Sequence, residues 1–245
     1  MLIQQTLDKL QTMRLKGLAE GYQDQLRQTD LNSLSFDERF GLLVDQEWLH
    51  RQNRRLARRL REAKLRLPAA LEDLDYTTAR GLDRSFVSSL ANCHWLIERQ
   101  NVLITGPTGV GKTFLLCALA NAAIRQGFTA RYYRLPRLIG DLGLAKADGS
   151  YPRLMAKLAK TDLLLLDDWG LSPLGVGEAR DLLEVMDDRY QNRSTAVASQ
   201  LPSEDWHDTI ADPSVADAIL DRLVHNAHRL SLKGESMRKV KNLAR

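Results

Sequence analysis

The sequence predicts an α/β fold: a parallel sheet flanked by helices, preceded by a small all-helical N-terminal domain. Three observations carry this. From residue 101 onward the short apolar runs NVLITG, ARYYRL, DLLLLDD and TAVASQ alternate with helical segments, the pattern of strands covered on both faces by crossover helices. Before residue 68 the apolar residues recur at three- and four-residue steps, which is the helical period. The first strand also runs directly into a glycine-rich turn and a helix, GPTGVGKTFLLCALANAA.

The helical part comes first. Ile3, Leu7 and Leu10, then Leu18, Tyr22 and Leu26, predict an opening helical stretch. TDLNSLS breaks it, and Ser35 with Glu38 forms a capping-box signature for a second helix. That helix is expected to turn Phe36, Phe40, Leu43, Val44 and Trp48 inward. It should continue through Leu49, Leu56, Leu60, Ala63 and Leu67 until Pro68 ends it. Residues 1–67 therefore read as the helical domain, 68–100 as a connector and 101–245 as the α/β domain. Within the last, helices are expected near 112–126, 136–160 and 177–191, and one further short apolar stretch, HRLSL, lies at 228–232.

Composition narrows the class. With 44% hydrophobic and 27% charged residues in 245, the chain can bury a core and is neither disordered nor fibrous. Two cysteines, Cys93 and Cys117, cannot build a disulfide framework and fit best as small buried hydrophobes. The longest apolar run, Leu163–Leu166, falls far short of the ~20 residues of a membrane helix, so no membrane partner is expected. MLIQQTLDKLQTMRLKG lacks a compact apolar signal region, which predicts a cytoplasmic protein. The net charge of +4 conceals a sharp division. Residues 51–66 carry a net of +7 and residues 222–245 a net of +6, leaving −9 for the remainder. Basic patches of this kind mark phosphate-rich partners, although two solvated helix faces would give the same count.

GPTGVGKT, Gly106–Thr113, is the strongest motif, because a strand precedes it and a helix follows it. Gly106, Pro107, Thr108, Gly109, Val110 and Gly111 form a turn whose backbone N–H groups can surround phosphate oxygens at a helix N-terminus, and Phe114 follows it in the helix. Lys112 would reach the β- and γ-phosphates of ATP, and the Thr113 hydroxyl would ligate Mg²⁺. LLLLDD, about 50 residues downstream, predicts a buried strand beside this loop with two carboxylates at its carboxyl end. Asp167 would hold Mg²⁺, and Asp168 would orient or deprotonate the attacking water. Gln200, at the tip of the strand TAVASQ, is a candidate partner of the γ-phosphate or the water. Arg222 and Arg238 are candidates for stabilising charge in phosphoryl transfer, while Asp187–Asp188 reads as a solvated helix face.

GPTGVGKT, DLLLLDDWG, ASQLP and AILDRLVHNAHRLSLKGESMRK, in that order behind a helical domain, resemble the AAA+ ATPases of the initiator and helicase-loader clade. The closest resemblance is to the IstB-type helper ATPases of IS21-family insertion sequences. It implies an AAA+ core at 101–245, with Gln200 as first sensor, Arg238 as second sensor and Arg222 as a finger acting on a neighbouring subunit's nucleotide. Asp168 stands where most AAA+ enzymes have Glu, which predicts slow turnover suited to a timing switch.

The resemblance also implies duplex DNA, a partner transposase and further copies of the same chain as partners. The run at 51–66 mixes Leu with Arg and has no interleaved aromatic, so it suits sequence-independent phosphate contact. Candidate contacts there are Arg51, Arg54, Arg55, Arg58, Arg59, Arg61 and Lys64, with Arg137, Lys146, Arg153 and Lys157 added from the segment that the clade elaborates. The main alternative is a replicative-helicase loader of the DnaC kind. A small-molecule kinase is the distant third, since it would leave the Arg-rich helix unexplained.

Overall fold

The computed structural model describes residues 2–28 and 33–237. It divides into two compact units, Met1–Arg58 and Arg59–Arg245. The division falls inside one long helix, so the stretch 59–67 and the connector 68–100 belong to the α/β unit.

In the first unit, helices α1 (Leu2–Thr12) and α2 (Lys16–Arg27) are separated at Arg14, whose φ is +60°. The single stretch expected from Ile3 to Leu26 is therefore two helices, closed on Leu7, Leu10 and Ala19. Helix α3 (Phe36–Ala63) opens with the expected capping box. Ser35 N donates to Glu38 Oε2 at 2.8 Å, and Glu38 N donates to Ser35 Oγ at 3.3 Å. α2 meets α3 backbone to backbone: a Cβ on Gly17 would lie 2.7 Å from the Gln46 carbonyl. Glu47 of α3 also accepts from Leu18 N at 3.0 Å, serving an α2 start that has no side-chain cap of its own. This close approach selects the α3 face around Leu43, Gln46 and Glu47. It overturns the inward stripe, because Phe36, Phe40, Val44 and Trp48 are 46–73% exposed and only Leu43 is buried.

The second unit takes the last turns of α3 and continues through α4 (Arg84–Ala91), α5 (His94–Ile97), β1 (Asn101–Thr105) and α6 (Lys112–Arg125). It proceeds through β2 (Ala130–Arg134), α7 (Leu135–Asp148), α8 (Tyr151–Lys160), β3 (Leu163–Trp169), α9 (Val176–Arg189), β4 (Ser194–Ser199), α10 (Pro213–Val224) and β5 (Ala227–Ser231). The expected helix at 136–160 is two. Asp148 accepts from Ser150 N at 2.9 Å, and Pro152 starts the second. HRLSL supplies β5. All pairings are parallel, in the order β2-β3-β4-β1-β5. β4 thus lies between β1 and β3, so the acidic strand is one strand removed from the loop-bearing one. Leu163–Leu166 and Ala196–Ala198 are fully buried, as strands covered on both faces must be. Both cysteines are buried and free, and burial pushes the Cys93 thiol up to about 11. Among the described residues no helix is long and apolar enough to cross a membrane.

Candidate active site

The site forms at the carboxyl ends of the strands, where Thr105 leads into Gly106–Gly111 and α6 begins at Lys112. Gly106 has φ +142°, and a Cβ there would lie 2.2 Å from the Leu232 carbonyl oxygen. Leu232 N in turn donates to Thr105 O at 2.8 Å, and Met237 N to Gly109 O at 2.9 Å. The chain after β5 therefore runs along the loop, and backbone is what meets Gly106. Gly106→Ala is expected to destabilise the unit by roughly 2–4 kcal/mol through clash and strain. Thermal melts would measure this, and an unchanged melting temperature would refute the packing argument.

Lys112 is buried and donates to Gly106 O at 2.7 Å and Pro107 O at 2.8 Å. Burial lowers its pKa, and the charges of Asp167 and Asp168 oppose that shift. Thr113 Oγ1 donates to Asp167 Oδ2 at 2.7 Å, bringing α6 and β3 together across the intervening β4. Tyr132 on β2 donates to the same oxygen at 2.8 Å, and Arg66 Nη1 lies 3.7 Å away. Burial, followed by the Asp167 charge, holds the Tyr132 phenol well above its ordinary range.

Asp168 occupies a bulge. The β3–β4 register shifts between Leu166 and Trp169, and Asp168 takes φ +60°, with its N–H on Asp167 Oδ1 at 2.9 Å. A bulge re-aims successive side chains that a regular strand would send to opposite faces, and here both carboxylates serve one site. Arg134 Nε holds Asp168 Oδ2 at 2.5 Å, with Arg66 at 3.9 Å. Gln200 joins the loop directly, its Oε1 accepting from Thr108 Oγ1 at 2.7 Å.

Beside the loop lies a cavity of about 240 Å³, lined by Leu67, Leu74, Phe114 and Met237 and edged by Gly109, Gly111 and Thr113. Arg80, 4% exposed, braces the loop by donating to Val110 O at 2.8 Å and Asp75 O at 2.7 Å.

Of the predicted residues, Gly106–Phe114, Asp167, Asp168 and Gln200 therefore converge. Arg222 does not. Its backbone carbonyl accepts from Asn101 Nδ2 at 3.0 Å, at the amino end of β1, about 13 Å of strand away from the loop. Its side chain pairs with Asp187 and packs over Tyr190. Arg238 lies outside the described residues. Arg51 pairs with Glu47 at 2.6 Å, and Lys146 pairs with Asp181 and lies over Tyr151. Arg54, Arg55, Arg58, Arg61, Lys64 and Arg137 are exposed. Arg59, Arg153 and Lys157 meet at a groove elsewhere on the α/β unit.

Sequence reasoning missed Arg66, Arg80, Tyr132 and Arg134. Arg134 alone had a signal, since it ends a strand at the edge where ligands of such sheets bind. The other three come from the connector or a strand interior, and no local pattern marks them.

The resemblance implies Mg²⁺, and the donors fit it. A hydroxyl and a carboxylate sit in contact beside the phosphate loop. Among the described residues no group of three or more His, Cys, Asp or Glu could hold a metal ion alone. The shell would thus be shared with phosphate oxygens and water, as Mg²⁺ prefers.

A family model described as IstB-like ATP binding protein matches residues 8–244. The chain belongs to this family. Among its IstB-like relatives, an insertion sequence ATP-binding protein of Sinorhizobium fredii (strain NBRC 101917 / NGR234) is 49% identical over 239 residues, 98% of each chain. The ATP-binding protein of insertion sequence IS21 from Pseudomonas aeruginosa is 33% identical over 229 residues, 94% of this chain and 86% of that one. The crystal structure of the DnaC helicase loader aligns at TM-score 0.58 and 20% identity, over 67% of this chain and 97% of that one. This last likeness establishes that the IstB-like α/β unit has the AAA+ P-loop fold.

Proposed function

We propose that this protein is an ATP-hydrolysing helper of transposition that assembles with ATP on duplex DNA in the cytoplasm, selects target DNA and regulates a partner transposase. The observation that carries the reading is the contact of Thr113 with Asp167, with Asp168 and Gln200 beside the same loop. Lys112 exchanges the carbonyls of Gly106 and Pro107 for phosphate oxygens, replacing neutral acceptors with charged ones. The adenine enters the apolar cavity beside Phe114 and Met237. Thr113 and Asp167 would hold Mg²⁺, whose charge offsets that of the phosphates. Asp168, fixed by Arg134, orients the attacking water, and Gln200 holds its outer side.

Arg222 sits too far from its own loop to reach the same nucleotide, so it acts on a neighbour's, and hydrolysis requires assembly. The names of the relatives, insertion sequence ATP-binding proteins, favour transposition over helicase loading.

Sedimentation with and without duplex DNA and a slowly hydrolysed ATP analogue tests this. An oligomer is expected only with nucleotide, and a larger complex with DNA added. A monomer under every condition would overturn the reading.

A further inference from the structure

At the amino ends of β2 and β3, opposite the phosphate loop, a groove opens on the α/β unit. Arg59 near the end of α3, Arg131 on β2, and Arg153, Lys157 and Lys160 on α8 line it, with Glu62 the single acid among the described lining residues. The three α8 residues are spaced i, i+4 and i+7, so they share one helix face and extend about 10.5 Å along it. Each of them is exposed, and none makes an ion pair with a described residue.

Arg131 supplies a second and independent sign. It is only 9% exposed, yet its Nε is enclosed with no hydrogen-bond partner, while its Nη1 donates to Glu62 O at 2.7 Å. A buried guanidinium N–H left unpaired costs about 1–3 kcal/mol, and an anion in the groove would recover that. Burial, then the charges of Arg131, Lys64 and Arg153, press the Lys157 ammonium below the usual lysine range. Like charges crowded in this way are relieved by a polyanion.

We infer that this groove seats the sugar–phosphate backbone of duplex DNA, a second phosphate site at the end of the sheet remote from the nucleotide. The inference rests on the DNA-binding reading above and names its contact surface on the α/β unit. Three features favour a duplex backbone. The rest of the lining is small, with Thr129, Ala130, Ala156 and Thr161, so no aromatic platform exists for stacking unpaired bases. No apolar pocket is present to anchor the side chains of an acidic peptide. The α8 stripe also matches about three phosphates of one strand at 3.4 Å of axis each.

The test is the salt dependence of duplex binding by the wild type and by R153A/K157A/K160A, whose exposed positions leave the fold intact. ATP affinity is measured on the same samples. The triple variant is expected to bind ATP normally, to lower the slope of log K against log salt by about 3, and to weaken duplex binding roughly 10- to 100-fold near 0.1 M salt. If the wild type binds duplex and the variant matches it in slope and affinity, the groove assignment falls and the DNA reading stands. If the wild type shows no duplex binding at low salt with nucleotide present, both fall.

Discussion

Replacing Lys112 with alanine is expected to weaken ATP binding by roughly 10²- to 10³-fold, the largest single effect in the molecule. Its ammonium makes two short hydrogen bonds to loop carbonyls, and in the nucleotide complex these become charge-assisted bonds worth about 1.5–3 kcal/mol each. Burial adds to the effect, because half-screened Coulomb terms strengthen as water is excluded. The same substitution removes the donors of the Gly106 and Pro107 carbonyls, which costs about 1–2 kcal/mol of stability. Nucleotide titration must therefore be paired with a thermal melt. A folded variant with normal ATP affinity would refute the site.

The second large effect is expected from Arg222→Ala, a fall in turnover of about 10³- to 10⁵-fold with ATP affinity little changed. The stabilising charge is supplied across an interface, so its removal spares ground-state binding. The ion pair it forms with Asp187 and the ring of Tyr190 accounts for about 0–1 kcal/mol of stability at such a partly exposed position, so the fold should survive. Mixing this variant with the Lys112→Ala chain is the decisive measurement. The Lys112 variant cannot use ATP itself but brings an intact Arg222 to its neighbours, and turnover should reappear. Full activity of Arg222→Ala alone would eliminate the trans role.

The residues that sequence could read are those whose chemistry demands local spacing. Gly106–Thr113 is contiguous, and Asp167 and Asp168 follow a four-leucine strand, so strand, loop and carboxylates were all legible, as was the alternation that makes the sheet. Strand order was not, because DLLLLDD and TAVASQ are equally apolar and nothing local says which lies beside β1. Phe36, Phe40, Val44 and Trp48 misled because the face of α3 is selected by the two glycines of α2, a property of close approach invisible to periodicity. Arg66, Arg80 and Tyr132 reach the site from 26 to 101 positions away along the chain, and only folding brings them there.

The backbone pairing of Leu232 with Thr105 has a consequence for the order of events in the cell. The phosphate loop is closed on one side by a segment made 127 residues after Thr105, which takes roughly 6–25 s of synthesis at 5–20 residues per second. A nascent chain carries GPTGVGKT long before it has the wall against which Gly106 rests. The loop acquires its working shape only when β5 has entered the sheet, so nucleotide binding ripens as a late event in the birth of the molecule.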